Sequence, residues 1–559
     1  MSKKILLIDD DDLVRRSVES LLKRNGYAVV TAASADEAVS QAKIINFELI
    51  VTDVRMPGEN GIRAIEKIKA FYEKINHICG FIVISGYAEE DTPALAIRLG
   101  VTHFLSKPFD SKDFLNNIQK ELQLLADNRR LKSKTSVDRS VYSDNKKKEN
   151  KRVVITGVGV VSPFGIGRET FWKGLKEGKN GVGEISLFDS SKLPCHAAAE
   201  VRDFQATDFI TEETEIKRMS RSSQIAVAAA KLSLRDANVE LDPVNTTEVI
   251  LGSSTSGVEY MLPDAYSFAQ FGLNKVRPYV GLAGFVGAIS SEISRALNAH
   301  GMSLTISTGC TSATDAMGYA LRLIQNGVSD RVITGGVDAC VCDGIIAAFC
   351  RMGAMSSWKG DPRKASRPFN KDREGFIIGE GGWIFVFEEL EKAFARKAKI
   401  YAEVLGYGST CDAWHMTRPH PSGDQTVRAI NAAVMDAGLE KEQVDIFEAY
   451  GNATKINDSY ETNVVKKVFG AHSKKILMPS VKSMLGHPIG ASGAQQMAAG
   501  LLAINEGFIH PTINYETPDP ECDLNYVPNI GRAGDFRVVL CNSLAFGGKN
   551  ASIVIRQVK

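Results

Sequence analysis

The stretch VVITGVGVVSP, Val153–Pro163, is a β-branched run that bends into a Gly-containing turn. A second stretch of the same make-up, AEVLGYGSTCDA, begins at Ala402. Branched residues suit a pleated, half-buried backbone, and glycine lets the chain turn where other residues are strained. Each stretch opens a comparable half of residues 153–559, which points to an internal duplication. The helical segments are Ala-rich, as in QIAVAAAKLSL (224–234) and QQMAAGLLAI (495–504). Small side chains let helices pack closely, so the expected fold here is a layered α/β core with helices enclosed between sheets.

On the N-terminal side lies ADNRRLKSKTSVDRSVYSDNKKKENKR, residues 126–152. It has almost no apolar periodicity and cannot bury a core, so it reads as a flexible basic linker, with a helical start continuing from the segment before it. Residues 1–125 alternate strand-like and helical patterns: KKILLIDD, LVRRSVESLLKRNG, YAVVTAA, SADEAVSQAKII, FELIVTDV. That alternation predicts a doubly wound parallel sheet, in which sites form at the carboxyl ends of strands. Asp9 and Asp10 end the first strand, Asp53 a later one, Ser85 ends FIVIS and Lys107 follows THFLS. Three carboxylates at one sheet edge repel each other unless a cation joins them, and hard oxygen ligands favour Mg²⁺. An aspartate beside Mg²⁺, a lysine and a hydroxyl is a phosphoryl acceptor in chemical terms.

These residues, in this order across positions 3–125, resemble the receiver domain of response regulators, with its flavodoxin-like fold. The resemblance implies that Asp53 is phosphorylated and that Asp9, Asp10 and Asp53, with the Arg55 carbonyl, hold Mg²⁺. It also implies that Ser85 and Lys107 bind the phosphoryl group, that Phe104 is the aromatic switch residue, and that a sensor histidine kinase is a partner.

The whole chain has 559 residues, too many for one core, so two to four domains are expected. A net charge of +1 gives no global case for nucleic acid or a membrane surface. No run of about 18 apolar residues predicts a membrane span. The start MSKKILLIDDDD lacks the long apolar core of a signal peptide, so a cytoplasmic location is expected. Nine cysteines are scattered without a CxxC pair or a completed zinc set.

One cysteine stands apart. ISTGCTSATDAMGYALRLI (306–324) reads as strand, sharp turn, helix, with Cys310 at the helix N-terminus. The helix dipole and free N–H groups there favour a thiolate. Farther on, VKSMLGHPIGASGA puts His487 in a Gly-rich loop with Lys482 five residues earlier. NSLAFGGKN places a Gly-Gly turn after an apolar strand, and N–H groups in such a turn can form an oxyanion hole.

Together with RPFNKDREGFIIGEGG (367–382) and DAWHMTRP (412–419), these motifs resemble the elongating β-ketoacyl-carrier-protein synthases with a Cys-His-His site. The resemblance spans nearly all of 153–559. It implies a thiolase-like αβαβα fold, normally a homodimer, with a heterodimer with another ketosynthase as the alternative. Cys310 would accept the acyl chain from an acyl carrier protein, whose phosphopantetheine delivers it, and the synthase domain itself needs no cofactor. The N–H groups of Cys310 and Phe546 would form the oxyanion hole, and Phe546 would gate the acyl pocket. His487 would be the second histidine, supported by Lys482 and Glu461. Thr454, Asn452, Gly547 and Gly548 would border the substrate.

The family pattern Glu-Ala-His-Gly-Thr-x-Thr is departed from in EAYGNAT (448–454), where Tyr450 replaces the histidine and Asn452 a threonine. Leu544 and Lys549 are further departures. A phenol with pKa about 10 is ionised in roughly one molecule per thousand at neutral pH, so Tyr450 can donate a hydrogen bond but is a poor base. Acyl transfer needs Cys310 and the oxyanion hole; decarboxylative condensation needs the enolate site that Tyr450 alters. Three readings stay open: a ketosynthase-like acyltransferase of fatty-acid or polyketide biosynthesis, a non-condensing acyl-binding or chain-length partner subunit, and a phosphorylation-controlled scaffold that docks carrier protein.

Overall fold

The computed structural model describes residues 3–54, 56, 60–75, 77–85, 101, 103–107, 109–134, 150–241 and 247–558. The chain divides into two compact units, residues 1–148 and 149–559.

In the first unit, β1 (Lys4–Ile8), β2 (Ala28–Ala32), β3 (Leu49–Asp53), β4 (Gly80–Ser85) and β5 (His103–Ser106) form one parallel sheet in the order β2-β1-β3-β4-β5. The helices are α1 (Asp12–Arg24), α2 (Ala35–Ile44), α3 (Gly61–Lys74) and α4 (Ser111–Lys134). Strand side chains alternate between faces. Leu6 and Ile8 pack with α2 and α3, whereas Ile5 and Leu7 pack with α1 and α4. The sheet is thus covered on both sides, as a parallel sheet requires. The last helix runs past residue 125 to Lys134, into the stretch read as linker; leucine, alanine, arginine and lysine there are good helix formers even without a core to bury.

The second unit repeats one topology. Its first half has β6 (Val153–Ser162), α5 (Arg221–Ala237), β7 (Glu248–Gly252), β8 (Ser303–Ile306), α6 (Ser312–Gln325), β9 (Arg331–Asp338) and β10 (Gly381–Glu389). Its second half has β11 (Ala402–Cys411), α7 (Asp424–Asp436), β12 (Ile446–Glu448), α8 (Lys455–Phe469), α9 (Ser492–Glu506), β13 (Val538–Ala545) and β14 (Lys549–Arg556). The strand order is β8-β7-β9-β10-β6-β11-β14-β13-β12, with Leu477 bridging to Ile446 at the far edge. Taken inward from either edge, the third, second, fourth, fifth and first strands of a half follow one another, and parallel and antiparallel pairings match. The opening strands β6 and β11 meet in the middle, Ile155 against Ala402.

The glycines of the two opening strands show why the halves match. A Cβ at Gly159 would lie 1.9 Å from the Ala229 carbonyl of α5, and one at Gly408 2.2 Å from the Ala429 carbonyl of α7. Each GxG therefore lets a helix backbone lie directly on a strand. The layers follow from the alternation of strand faces. Val249 and Leu251 pack with α5, while Ile250 packs with α6. Phe447 and Leu540 pack with α7 and α8, while Ile446 and Val539 pack with α9. Helices α6 and α9 lie between the two halves in mutual contact; a Cβ at Gly493 would fall 2.0 Å from Thr314 Oγ1. This is the αβαβα layering that the sequence suggests.

Candidate functional site

In the first unit, Asp9 and Asp10 directly follow β1, and Asp53 is the last residue of β3. Adjacent parallel strands bring them together: their carboxylate oxygens lie within 4.8 Å of one another. Lys107, just after β5, donates to Asp9 Oδ2 at 2.8 Å and Asp53 Oδ2 at 2.5 Å. Burial works against the lysine's charge, but these two bonds outweigh it and raise its pKa. An all-oxygen set of three acids at one strand edge suits a hard divalent cation. Ser85 and Phe104 are placed by their strands alone, at the sheet positions paired with Ser106 and Val83; their side chains and Arg55 lie outside the described residues.

In the second unit, Cys310 sits one residue before the N-cap of α6, in a tight turn where Gly309 has φ of 76°. A Cβ at Gly309 would lie 3.2 Å from Ala545 Cβ, so this turn rests on the turn after β13. There Gly547 and Gly548 have φ of 83° and 69°, a backbone that admits glycine without strain. Phe546 stacks on Phe349 and is more than a third exposed.

Tyr450 follows β12, where Glu461 of α8 accepts its N–H and that of Gly451, both at 2.9 Å. The Tyr450 hydroxyl reaches His487 Nε2 at 3.0 Å, and Tyr450 and Cys310 belong to one buried cluster. Lys482 Nζ lies over the Tyr450 ring, 4.8 Å from its centroid. Cys310, Tyr450, Lys482, Glu461 and His487 are all buried. Lys482 Nζ and His487 Nδ1 have no hydrogen-bond partner among the described residues.

Dryness sets the charge states. Burial pushes the Cys310 thiol up to about 11, against the expectation of a thiolate held by the helix terminus. The terminus is there, but desolvation of the anion is larger. Burial also drives Tyr450 well above its ordinary range, which keeps it a phenol. It holds His487 well below the usual imidazole range, with the nearby Lys482 adding to the effect, and brings Lys482 down to about 8.

A cavity of about 490 Å³ reaches this cluster from outside. Tyr450, Asn452, Thr454, Phe546, Gly548 and Lys549 are among its walls. Cys310, His487 and Gly547 are not among its walls, and the Gly547 N–H is taken by the Met416 carbonyl at 2.6 Å. Asn452 Oδ1 accepts from Thr454 N and Oγ1, and Thr454 in turn caps α8.

Two carboxylates escaped the sequence reading. Asp338, buried at the end of β9, accepts from Ser253 Oγ, Thr255 N and Gly490 N, tying that strand to the loop carrying His487. The strand-end position that marked Asp9 and Asp53 would have flagged it. Glu448, first residue of EAYGNAT, pairs with His510 at 3.2 Å in full burial, a partner 62 positions away that no local signal reveals.

Known proteins agree with this geometry. Residues 150–393 and 401–516 match the N- and C-terminal domains of β-ketoacyl synthase, and 5–119 match the response regulator receiver domain. Over 411 residues, 73% of this chain and 99% of the relative, it is 40% identical to 3-oxoacyl-[acyl-carrier-protein] synthase 2 of Synechocystis. The chain belongs to the β-ketoacyl synthase family. The corresponding enzyme of Coxiella burnetii is 37% identical over the same share. Among solved structures, this synthase unit is similar to the ishigamide ketosynthase/chain length factor (37% identity, TM-score 0.68, 73% of this chain and 100% of that one). It is also similar to a ketosynthase solved with its type II polyketide acyl-carrier protein (32% identity, TM-score 0.67, the same shares). Among the described residues no helix is long and apolar enough to cross a membrane.

Proposed function

We propose that the synthase unit is an acyltransferase of fatty-acid or polyketide assembly, in which Cys310 takes an acyl chain from the phosphopantetheine thioester of an acyl carrier protein. The observation that carries this reading is a buried cluster that holds Cys310 and Tyr450, in which the Tyr450 hydroxyl meets His487 and Tyr450 lines a cavity together with Thr454 and Phe546. The Cys310 turn rests on the Ala545–Phe546 turn, an arrangement in which N–H groups of both can face one thioester carbonyl oxygen.

Condensation is the altered half. A donor carboxyl leaves as carbon dioxide, and the enolate oxygen that remains needs hydrogen-bond donors. Tyr450 stays protonated, so it can donate but not accept a proton at neutral pH. Its hydroxyl is also engaged with His487, so donation to an enolate must first break that bond. We therefore expect slow condensation or a donor that suits this geometry. A non-condensing partner role is the second reading, favoured by the likeness to a ketosynthase/chain length factor; the retained Cys310 favours the first.

The receiver unit supplies regulation in this proposal. Asp53 accepts the phosphoryl group from a sensor kinase, and Lys107, with Ser85, binds it. Asp9, Asp10 and Asp53 would hold Mg²⁺, which would neutralise charge on the phosphoryl oxygens. The phosphoryl group then competes with Asp53 for Lys107. The synthase unit works as a dimer, as its relatives' fold suggests.

The test incubates the protein with acyl- and malonyl-carrier protein and reads intact mass and product. A β-ketoacyl product that Cys310→Ala abolishes supports a condensing enzyme. An acyl adduct on Cys310 without product, with product appearing in Tyr450→His, supports the partner reading. No adduct under any condition removes both.

A further inference from the structure

Past Glu448 the parallel strands β12 and β13 part: the last residues they pair are Glu448 and Cys541. The side chain of Gln496, from the second turn of α9 and fully buried, reaches both strand ends. Gln496 Nε2 donates to the Glu448 carbonyl at 2.8 Å, the Ala449 carbonyl at 2.9 Å and the Asn542 carbonyl at 2.8 Å. Buried carbonyls need donors, and here one amide serves two strands. Tyr450 is the residue after Ala449, and Phe546 follows directly on the strand that carries Asn542.

The partners fix how this amide lies. Carbonyls only accept, so the NH₂ end must face them and Oε1 must face away. Oε1 receives the Ser543 hydroxyl at 3.2 Å. Ser543 spends its one proton there, so in its 2.9 Å contact with Thr314 Oγ1 the threonine is the donor. Thr314 is on α6, the helix that opens just after Cys310. A one-way chain thus runs from Thr314 to Ser543, to Gln496, and on to the carbonyls just before Tyr450. A second branch closes it: Asn542 Nδ2 donates to Glu461 Oε1 at 2.7 Å, and Glu461 takes the N–H groups of Tyr450 and Gly451. Thr314, Ser543, Asn542, Glu461 and Gln496 are all buried. Helix α9, which carries Gln496, follows the loop of His487. The segments of Cys310, Tyr450, His487 and Phe546 are therefore joined through one side chain.

We propose that Gln496 is a positioning residue for acyl transfer, holding in register the segments that carry Cys310, Tyr450, His487 and Phe546. It is not among the walls of the cavity, so it acts through those segments and not on the substrate. Its effect on rate rests on Cys310 being the acyl acceptor; its effect on the Tyr450–His487 contact does not. A neutral amide suits the place. Another buried charge beside Glu461 and Lys482 would need a partner of its own, whereas an amide offers donors and an acceptor without net charge. A buried network with its members paired has few other arrangements, so no one segment shifts alone. Misplacing reacting groups by about 1 Å costs about 10²-fold in rate, and that is the loss Gln496 prevents.

The experiment uses the full chain and reads two things. One is the rate and half-saturation of Cys310 acylation by acyl-carrier protein under rapid quench. The other is the ¹⁵N signal of His487 in histidine-labelled protein, assigned by its loss in His487→Gln. Tyr450→Phe supplies the signal of His487 without the tyrosine contact. Gln496→Met keeps the length of the side chain and drops its hydrogen bonds. It should slow acylation at saturation by about 10²-fold, leave half-saturation within about twofold, and move the His487 signal toward the Tyr450→Phe position. Ser543→Ala cuts the chain at one bond and should slow acylation about fivefold, yet add nothing when combined with Gln496→Met. A merely structural role would lower the melting temperature of Gln496→Met but leave the acylation rate and the His487 signal of the folded protein at wild-type values. That result overturns the proposal, as does full additivity of the two substitutions. Absence of acylation in the wild type would overturn the acyltransferase reading, and the His487 signal then decides the positioning role by itself. If Gln496→Met fails to fold, Ser543→Ala decides: wild-type rate and signal there overturn the proposal.

Discussion

Lys107 and Lys482 each sit at the working end of one unit, and they are held in opposite ways. Lys107 lies at an open sheet edge with nearly a quarter of its side chain exposed, and two aspartates grip it. Its pKa is raised. Lys482 is enclosed between layers of helix and sheet, has no hydrogen-bond partner among the described residues, and rests on a tyrosine ring. Its pKa falls to about 8. The difference teaches that geometry decides whether a cation stabilises its site or strains it. An edge leaves room for water and for carboxylates to turn toward the charge. A five-layer interior removes the water, and Cys310, Tyr450, Lys482 and His487 there drift toward their neutral forms.

The comparison breaks most sharply at the acceptors. Asp53→Asn should abolish labelling by acetyl phosphate while leaving acylation of Cys310 in the unphosphorylated protein unchanged. Persistent labelling would put the phosphoryl group elsewhere.

Next come the lysines, which should respond with opposite signs. A fall from 10.5 to about 8 corresponds to about 3 kcal/mol against the charged form. The folded pKa lies below the unfolded one, so the penalty is full below pH 8 and fades as pH rises toward 10.5. Lys482→Met removes that penalty but also the positive charge that lowers the buried Glu461 carboxyl, so it should stabilise the synthase unit by less than about 3 kcal/mol at pH 7, with the gain shrinking at alkaline pH. Lys107→Met removes two charged hydrogen bonds and leaves the carboxylates facing each other. It should cost about 1–3 kcal/mol, part of which Mg²⁺ restores. Calorimetry of the full chain across pH reads both; the same sign for both would dissolve the contrast.

The smallest effect tests how each site is anchored. Asp11 caps α1 beside the acidic cluster, accepting from Leu13 N at 2.8 Å and Val14 N at 3.2 Å. Asp11→Ala should cost about 1 kcal/mol in urea unfolding. A much larger loss would mean that Asp11 supports the carboxylate cluster and not only the helix.

Much of this is legible in the amino-acid pattern. Strand-end acids in order give Asp9, Asp10, Asp53 and Lys107 one edge, because a parallel sheet brings strand ends into register. The repeated β-Gly runs at Val153 and Ala402 announce the duplication, because both must admit a helix backbone against a strand. The charge state of Cys310 is not legible there. A strand–turn–helix pattern shows the dipole but not the depth of burial, and burial prevails. The pairing of Glu448 with His510 and the reach of Asp338 to Gly490 are hidden too, since each joins distant segments without a local pattern.

The sequence by itself determined the two units, the doubly wound and layered folds, and the residue types available at each site, since these follow from periodicity and local backbone chemistry. Tertiary structure alone decided which atoms meet: that the Tyr450 hydroxyl reaches His487, that Lys482 lies over a ring, and that the Gly547 N–H is taken by the Met416 carbonyl. Proton affinity depends on solvent and neighbours within a few ångströms, and only the packed interior fixes both.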